Sequence, residues 1–151
     1  MKSGYYVTNG SSSVIYRGIE DFYGNAYVFL DGINIKDNVA YISQDPTKYA
    51  SDVFSNSYVS ISYTLGATVA QTNISSLGLD KNYPSVMLPS SVPPTSQVIP
   101  DSTYGSITGN RVVKVNAATG DISNIGLFNF TYVENSSDTD SYTGIRILKY
   151  R

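Results

Sequence analysis

The alternation of hydrophobic and polar residues along the chain is mainly that of β-strands. In the clearest case, the segment 58–65, Val59, Ile61, Tyr63 and Leu65 alternate with serine and threonine. An alternation of period two predicts a strand with one buried and one solvated face. Shorter runs of the same kind predict further strands at 39–42, 111–115, 127–133 and 145–150.

The segment 19–30 has a less simple pattern. Its apolar residues fit the 3.6-residue period of a helix, but Gly24-Asn25 lies in the middle. Because Gly costs about 1 kcal/mol in a helix interior and suits a turn, we expect a short helical turn over 20–23 followed by a strand over 26–31. In that strand Tyr27 and Phe29 share one face and the intervening residues share the other, so both faces can be covered.

Residues 77–103 differ from the rest because they contain five prolines and no sustained hydrophobic period. Proline has no N–H to donate, so we expect neither a central strand nor a helix interior here. A linker is one interpretation, but the interspersed Leu, Val, Ile and Met side chains favour a long, ordered loop packed on a sheet. The prediction is a single domain over 1–151 with an ordered proline-rich loop at about 77–103.

The composition removes most of the usual catalytic chemistry. The 151 residues include no Cys and no His, and therefore no thiolate nucleophile, imidazole base or ordinary zinc ligand. A net charge of −2 gives no basic surface for phosphates, so we expect no nucleic-acid partner. No segment has the form of a signal peptide or reaches the roughly 20 apolar residues of a membrane span. We expect no enzyme activity, no cofactor, no metal and no membrane insertion.

Tyrosine is unusually frequent, with 14 Tyr beside five Phe and no Trp. Tyr provides contact area at little entropic cost and carries a hydroxyl, which suits an adaptable binding surface. Tyr also favours β structure in general. The composition is compatible with both interpretations.

Two separated segments resemble one group of proteins. The first contains Gly18-Ile19-Glu20-Asp21-Phe22-Tyr23-Gly24-Asn25 and then Asp31-Gly32-Ile33-Asn34; the second begins at Thr108-Gly109-Asn110-Arg111-Val112 and ends at Gly144-Ile145-Arg146-Ile147-Leu148. Both are similar to phage virion proteins with C-type-lectin-like receptor-binding domains of the formylglycine-generating-enzyme-like branch. Tyr27 and Phe29 replace Trp in that branch's Gly-Asn-Val-Trp-x-Trp pattern, and the cysteines of its enzymes are absent, so the resemblance implies no catalysis.

The resemblance implies a strand-dominated α+β domain with a C-type-lectin-like fold: a small twisted antiparallel sheet, one or two short helices and long ordered loops. It implies that the ligand is bound by the last third of the chain. In the strand around residue 130, the aromatic residues Phe128, Phe130 and Tyr132 take one face, so polar Asn129 and Thr131 are expected to point outward. Carried over by position, the candidate ligand-binding residues are Tyr104, Asn129, Thr131, Glu134, Asn135, Asp138, Asp140 and Tyr142.

The function implied is that of a receptor- or glycan-binding display module on a phage virion. The expected partners are a bacterial cell-surface glycan or protein, other virion proteins, and further copies of the chain in a homotrimer. The alternative is a structural capsid decoration or a head or tail fibre protein that assembles without a ligand of its own. For the polar tip at 135–141, a solvated hairpin loop without a ligand is an equal alternative.

Two chemical alternatives have less support. Glu134, Asp138 and Asp140 offer oxygens to a calcium ion, but their spacing fits no EF-hand. Carboxylates such as Asp21 and Asp31 are of the type used in glycoside hydrolysis, but nothing in the sequence fixes the separation that this chemistry needs.

Overall fold

In a computed structural model of the chain, the structure describes residues 27–66, 69–92, 99–115, 128–139 and 143–144. Within these ranges there are ten strands and one short helical element, the 3₁₀-helix Pro46–Lys48. The strands are β1 (Tyr27–Lys36), β2 (Val39–Ile42), β3 (Val59–Ser60), β4 (Thr72–Ile74), β5 (Ser76–Asp80), β6 (Tyr83–Ser91), β7 (Ile99–Gly105), β8 (Asn110–Val115), β9 (Phe130–Tyr132) and β10 (Thr143–Gly144). The prediction of a strand-dominated fold is confirmed. The helical turn expected at 20–23 and the strand expected at 145–150 lie outside the described residues.

Eight of the described strands form one mixed sheet in the order β3-β2-β1-β8-β9-β7-β4, with β10 paired to β1. Two pairs are parallel, β1 with β10 and β7 with β9. β9 therefore lies between β7 and β8, its neighbours on the two sides. The small antiparallel sheet that we expected is present as the pair β5-β6, but the larger, mixed sheet was not expected, since long-range parallel pairs cannot be recognised from local alternation.

The strands predicted at 39–42 and 111–115 are confirmed as β2 and β8, and the strand predicted at 26–31 is confirmed and extends to Lys36 as β1. A two-residue turn joins β1 to β2. Its residues Asp37 and Asn38 have φ of 49° and 63°. Positive φ at both positions is the geometry of a type I′ hairpin turn, which Asn and Asp tolerate well.

The strand predicted at 58–65 is wrong for most of its length, because regular pairing covers only β3. The alternation still describes burial in part, since Ile61 and Leu65 are buried while Ser62 is exposed. The Ser62 N–H donates to the Asp80 carboxylate at 2.7 Å. A side chain thus takes the place of a ladder partner where the strand stops.

The proline-rich segment is not the long loop that we expected. β5 and β6 form a separate two-stranded antiparallel sheet, and β7 is an interior strand of the mixed sheet. β6 accommodates Pro84 and Pro89 because a two-stranded sheet leaves each strand one edge without ladder bonds. Pro100 falls where the register of β7 against β4 shifts, at a bulge that needs no N–H from it.

One hydrophobic core joins the two sheets. It combines Ile35, Val113, Phe130 and Tyr132 of the mixed sheet with Leu88 of β6. Among the described residues, no helix has the length and apolar character needed to cross a membrane.

Candidate functional site

An open cleft of about 540 Å³ lies between β1, the residues that follow the 3₁₀-helix, and the tip. Its apolar lining includes Phe29, Leu30 and Val112, and its polar lining consists of Asp31, Asn34, Tyr49, Ser51 and Ser136. We call residues 49–52 the wall segment. The cleft therefore brings together two aromatic rings, a carboxylate, an amide and three hydroxyls.

A β-bulge in β1 shapes one side of the cleft. The register of β1 against β8 shifts between Leu30 and Asn34, and Gly32 in this bulge has a φ of 81°. A Cβ at Gly32 would lie 2.7 Å from Tyr49 Cε1 and 2.9 Å from the Ser43 carbonyl oxygen. Because Gly32 has no side chain, the Tyr49 ring packs directly on the bulge, while 40% of Tyr49 stays exposed.

The wall segment is hydrogen-bonded to the sheet through a buried amide. Asn34 Nδ2 donates to the Ala50 carbonyl at 3.2 Å and also to the Ser51 carbonyl. On the other side, the Ala50 N–H donates to the Tyr58 hydroxyl at 2.9 Å. These bonds satisfy backbone groups that no ladder partner serves, and they fix the distance between the wall segment and β1.

A second connection joins the wall segment to the tip. The Asp52 carboxylate accepts a hydrogen bond from the Ser136 N–H at 3.2 Å and another from the Ser136 hydroxyl at 2.9 Å. Desolvation alone would raise the pKa of Asp52. The bonds from Ser136, the N–H of Asp52 itself and the charge of Arg111 together outweigh it, and the pKa of Asp52 lies below its ordinary value. Ser136 is thereby held at the cleft.

The tip itself is closed by its own polar groups. The Asn135 N–H donates to Asp138 Oδ2 at 2.8 Å, and the Asp138 N–H donates back to the Asn135 carbonyl at 3.1 Å. Arg111 Nη1 donates to Asn135 Oδ1 at 2.8 Å. Asn135 and Asp138, two of the predicted ligand-binding residues, thus hold the conformation that presents Ser136.

Glu134, another predicted ligand-binding residue, is engaged in an ion pair. Its Oε1 lies 2.6 Å from Nζ of Lys114, which is buried. The same ammonium lies 4.8 Å from the ring centre of Tyr27 and 5.9 Å from that of Phe29. The two aromatic residues therefore share a face of β1, as the alternation predicted. The half-buried Glu134 carboxylate is therefore the counter-charge that the buried Lys114 ammonium requires.

The prediction that Asn129 and Thr131 point outward is wrong. They are only 3% and 7% exposed, and Asn129 Nδ2 donates to the Ser102 hydroxyl at 3.2 Å. The reason is topological, since β9 is an interior strand and both of its faces are covered. Tyr104 on β7 is 39% exposed but does not line the cleft. Asp140 and Tyr142 lie outside the described residues.

None of the described candidates lines the cleft; its tip residue, Ser136, is next to the candidate Asn135. The sequence carried one signal for the missed side of the cleft, because Gly32 directly follows the strand predicted at 26–31 and a Gly at such a position is typical of a turn or a bulge. For Tyr49 and Ser51 the sequence has no comparable signal.

The calcium alternative receives no support from this geometry. The Glu134 carboxylate is paired with Lys114, and the Asp138 carboxylate closes the tip. Across the part of the chain that the structure describes, no group of three or more acidic side chains is arranged to hold a metal ion.

No protein-family model, no curated protein and no solved structure matches the chain. The function is therefore argued from the cleft, together with the resemblance of the two sequence segments.

Proposed function

We propose that the chain is a display module of a phage virion surface that binds a glycan of the bacterial envelope through the cleft. The observation that carries the proposal is the pairing of the exposed Tyr49 ring with the polar groups of Asp31, Ser51 and Ser136 in one concave site. Ligand sites typically combine an apolar platform with a few convergent polar groups. A sugar offers a C–H face to such a ring and hydroxyls to the polar groups.

The virion context and a C-type-lectin-like fold are part of the same proposal and are supported by the sequence resemblance. The polar, weakly charged composition suits a surface that recognises ligands by hydrogen bonds. Tyr104, Asp138, Asp140 and Tyr142 stay candidates for additional ligand contacts, whereas buried Asn129 and Thr131 do not.

The test is binding of the purified chain to a panel of bacterial cells and envelope glycans, with two matched variants. Tyr49→Ala removes the ring in the cleft, and Tyr104→Ala removes a ring of nearly equal exposure outside it. We expect Tyr49→Ala to abolish binding and Tyr104→Ala to preserve it. A cooperative thermal unfolding transition in each variant would show that both are folded. The reverse result would move the site to the β7 side, and no binding by the unaltered, folded chain would contradict the proposal.

The structural alternative rests on a different observation. Leu79 and Met87 are cross-strand partners on the two-stranded sheet and are 63% and 47% exposed. An exposed apolar pair beside open strand edges suits contact with neighbouring subunits. This alternative would be favoured if the folded chain binds no bacterial surface but forms a trimer, and if a Leu79→Asp variant no longer forms the trimer.

A further inference from the structure

The charges around the cleft indicate which sugars it selects, provided that the proposed function holds. Asp31 is the one charged residue among the described residues that line the cleft. The Asp52 carboxylate lies beside the cleft, because it accepts hydrogen bonds from the lining residue Ser136. Asp45 directly precedes the lining residue Pro46 in the sequence. The formal charge of the described lining residues is therefore negative.

The carboxylate of Asp31 differs from those of Asp45 and Asp52 because it is available to bind a ligand. Asp45 Oδ1 accepts hydrogen bonds from the N–H and the hydroxyl of Thr47, at 3.0 and 2.7 Å, and Asp52 binds Ser136. Asp31 is exposed. Among the described residues, no hydrogen bond or ion pair engages its carboxylate.

None of the described Lys and Arg side chains lines the cleft. Arg111 donates to the Asn110 carbonyl, to Asn135 and to Ser106, and Lys114 is paired with Glu134. Lys48 is exposed beside Tyr49 but does not line the cleft. An anionic ligand would thus meet Asp31 with no compensating cation among the lining residues that the structure describes.

We infer that the cleft selects an amine-bearing sugar, with the Asp31 carboxylate binding the ammonium group and the Tyr49 ring packing against the sugar face. A carboxylate that accepts from an ammonium forms a charge-assisted hydrogen bond, roughly twice as strong as a neutral one. An N-acetylated sugar lacks the charge, and a uronic acid is repelled. Asp31 is then the residue that determines specificity, while the shape of the cleft provides the common part of the affinity.

The experiment compares three probes of equal length: a glucosamine tetramer, its fully N-acetylated counterpart and a uronic acid tetramer. Binding to the full chain is measured by calorimetry at about pH 5.5, where the sugar amines are protonated. The variants are Asp31→Asn and, as a matched control, Asp37→Asn. The control makes the same charge change at the hairpin turn, where an amide oxygen can still accept from the Gly109 N–H.

We expect the unaltered chain to bind the glucosamine tetramer about tenfold more tightly than the acetylated one, and the uronic acid tetramer most weakly. Asp31→Asn should remove this preference by weakening glucosamine binding alone, and added salt should reduce it. Asp37→Asn should change nothing.

An unchanged preference in Asp31→Asn, or tightest binding of the uronic acid tetramer, would overturn the inference while leaving glycan binding intact. If the folded chain binds none of the three probes or any other envelope glycan, the proposed function fails and the inference fails with it.

Discussion

The carboxylate of Asp52 holds both the backbone N–H and the hydroxyl of Ser136, a residue 84 positions later in the chain. This pair joins the wall segment to the tip across the mouth of the cleft. Replacing Asp52 with Ala should therefore widen the cleft and weaken ligand binding, while the free energy of unfolding falls by only about 0.5–1.5 kcal/mol for exposed hydrogen bonds. Hydrogen exchange at the Ser136 amide measures the effect directly.

The control for this pair is Ser136→Ala, which keeps the hydrogen bond from the backbone N–H to Asp52 and removes only the bond from the hydroxyl. Faster exchange in Asp52→Ala than in Ser136→Ala is the expected order. Equal exchange rates in the unaltered chain and in Asp52→Ala would show that the tip holds its position without Asp52.

The ion pair of Lys114 with Glu134 should behave as a coupled unit. Lys114→Met keeps the packing of the stem but leaves the half-buried Glu134 carboxylate without its cation. We expect a loss of roughly 2–4 kcal/mol in the free energy of unfolding. The double variant Lys114→Met/Glu134→Gln should recover part of it, as measured by denaturant unfolding in a double-mutant cycle. Strict additivity of the two single effects would contradict the coupling.

The hydroxyl of Tyr132 is expected to contribute to stability through one long-range bond. It donates to Asn38 Oδ1 at 2.7 Å, while Asn38 Nδ2 donates to the Leu65 carbonyl at 2.8 Å. Burial raises the pKa of Tyr132, so the phenol stays protonated and can donate. Tyr132→Phe should lower the free energy of unfolding by about 1–2 kcal/mol because a buried acceptor loses its donor. Tyr104→Phe, at an exposed site, should change it by less than about 0.5 kcal/mol.

Asp80 should make the free energy of unfolding depend on pH in the acidic range. Hydrogen bonds from the Ser62 side chain and from the N–H groups of Asn82 and Ser62 lower the pKa of Asp80 from its ordinary value of 3.8. A pKa lowered by folding contributes stability that is complete above the ordinary value and disappears as pH falls through the lower, folded-state value. Asp80→Asn should therefore flatten the decline of the free energy of unfolding below about pH 5. Parallel pH profiles for the two proteins would contradict this role.

Local chemistry predicted the parts of this fold that depend on neighbouring residues in sequence. The alternation at 39–42 and at 111–115 predicted β2 and β8. The side chains of Tyr27 and Phe29 share a face, as a strand requires.

The wrong predictions have a common physical cause. Each concerns a feature that depends on residues distant in sequence. Nothing near Asn129 and Thr131 reveals that β9 has a strand on each side, and so these polar residues were expected outside. Pro100 is tolerated because β4 shifts register opposite it. The cleft, too, depends on the contact of Tyr49 with Gly32 and on the bonds of Asp52 to Ser136, which no local pattern encodes.

The position of β9 between β7 and β8 also constrains how the chain reaches its native state. During synthesis, β7 and β8 are both available before β9, and each exposes an edge until β9 enters. Such late, non-local pairing predicts slow folding. Until the gap is filled, it can accept the same strand from another copy, so concentrated nascent chains are prone to strand exchange. Dilute refolding should therefore yield more monomer than concentrated refolding.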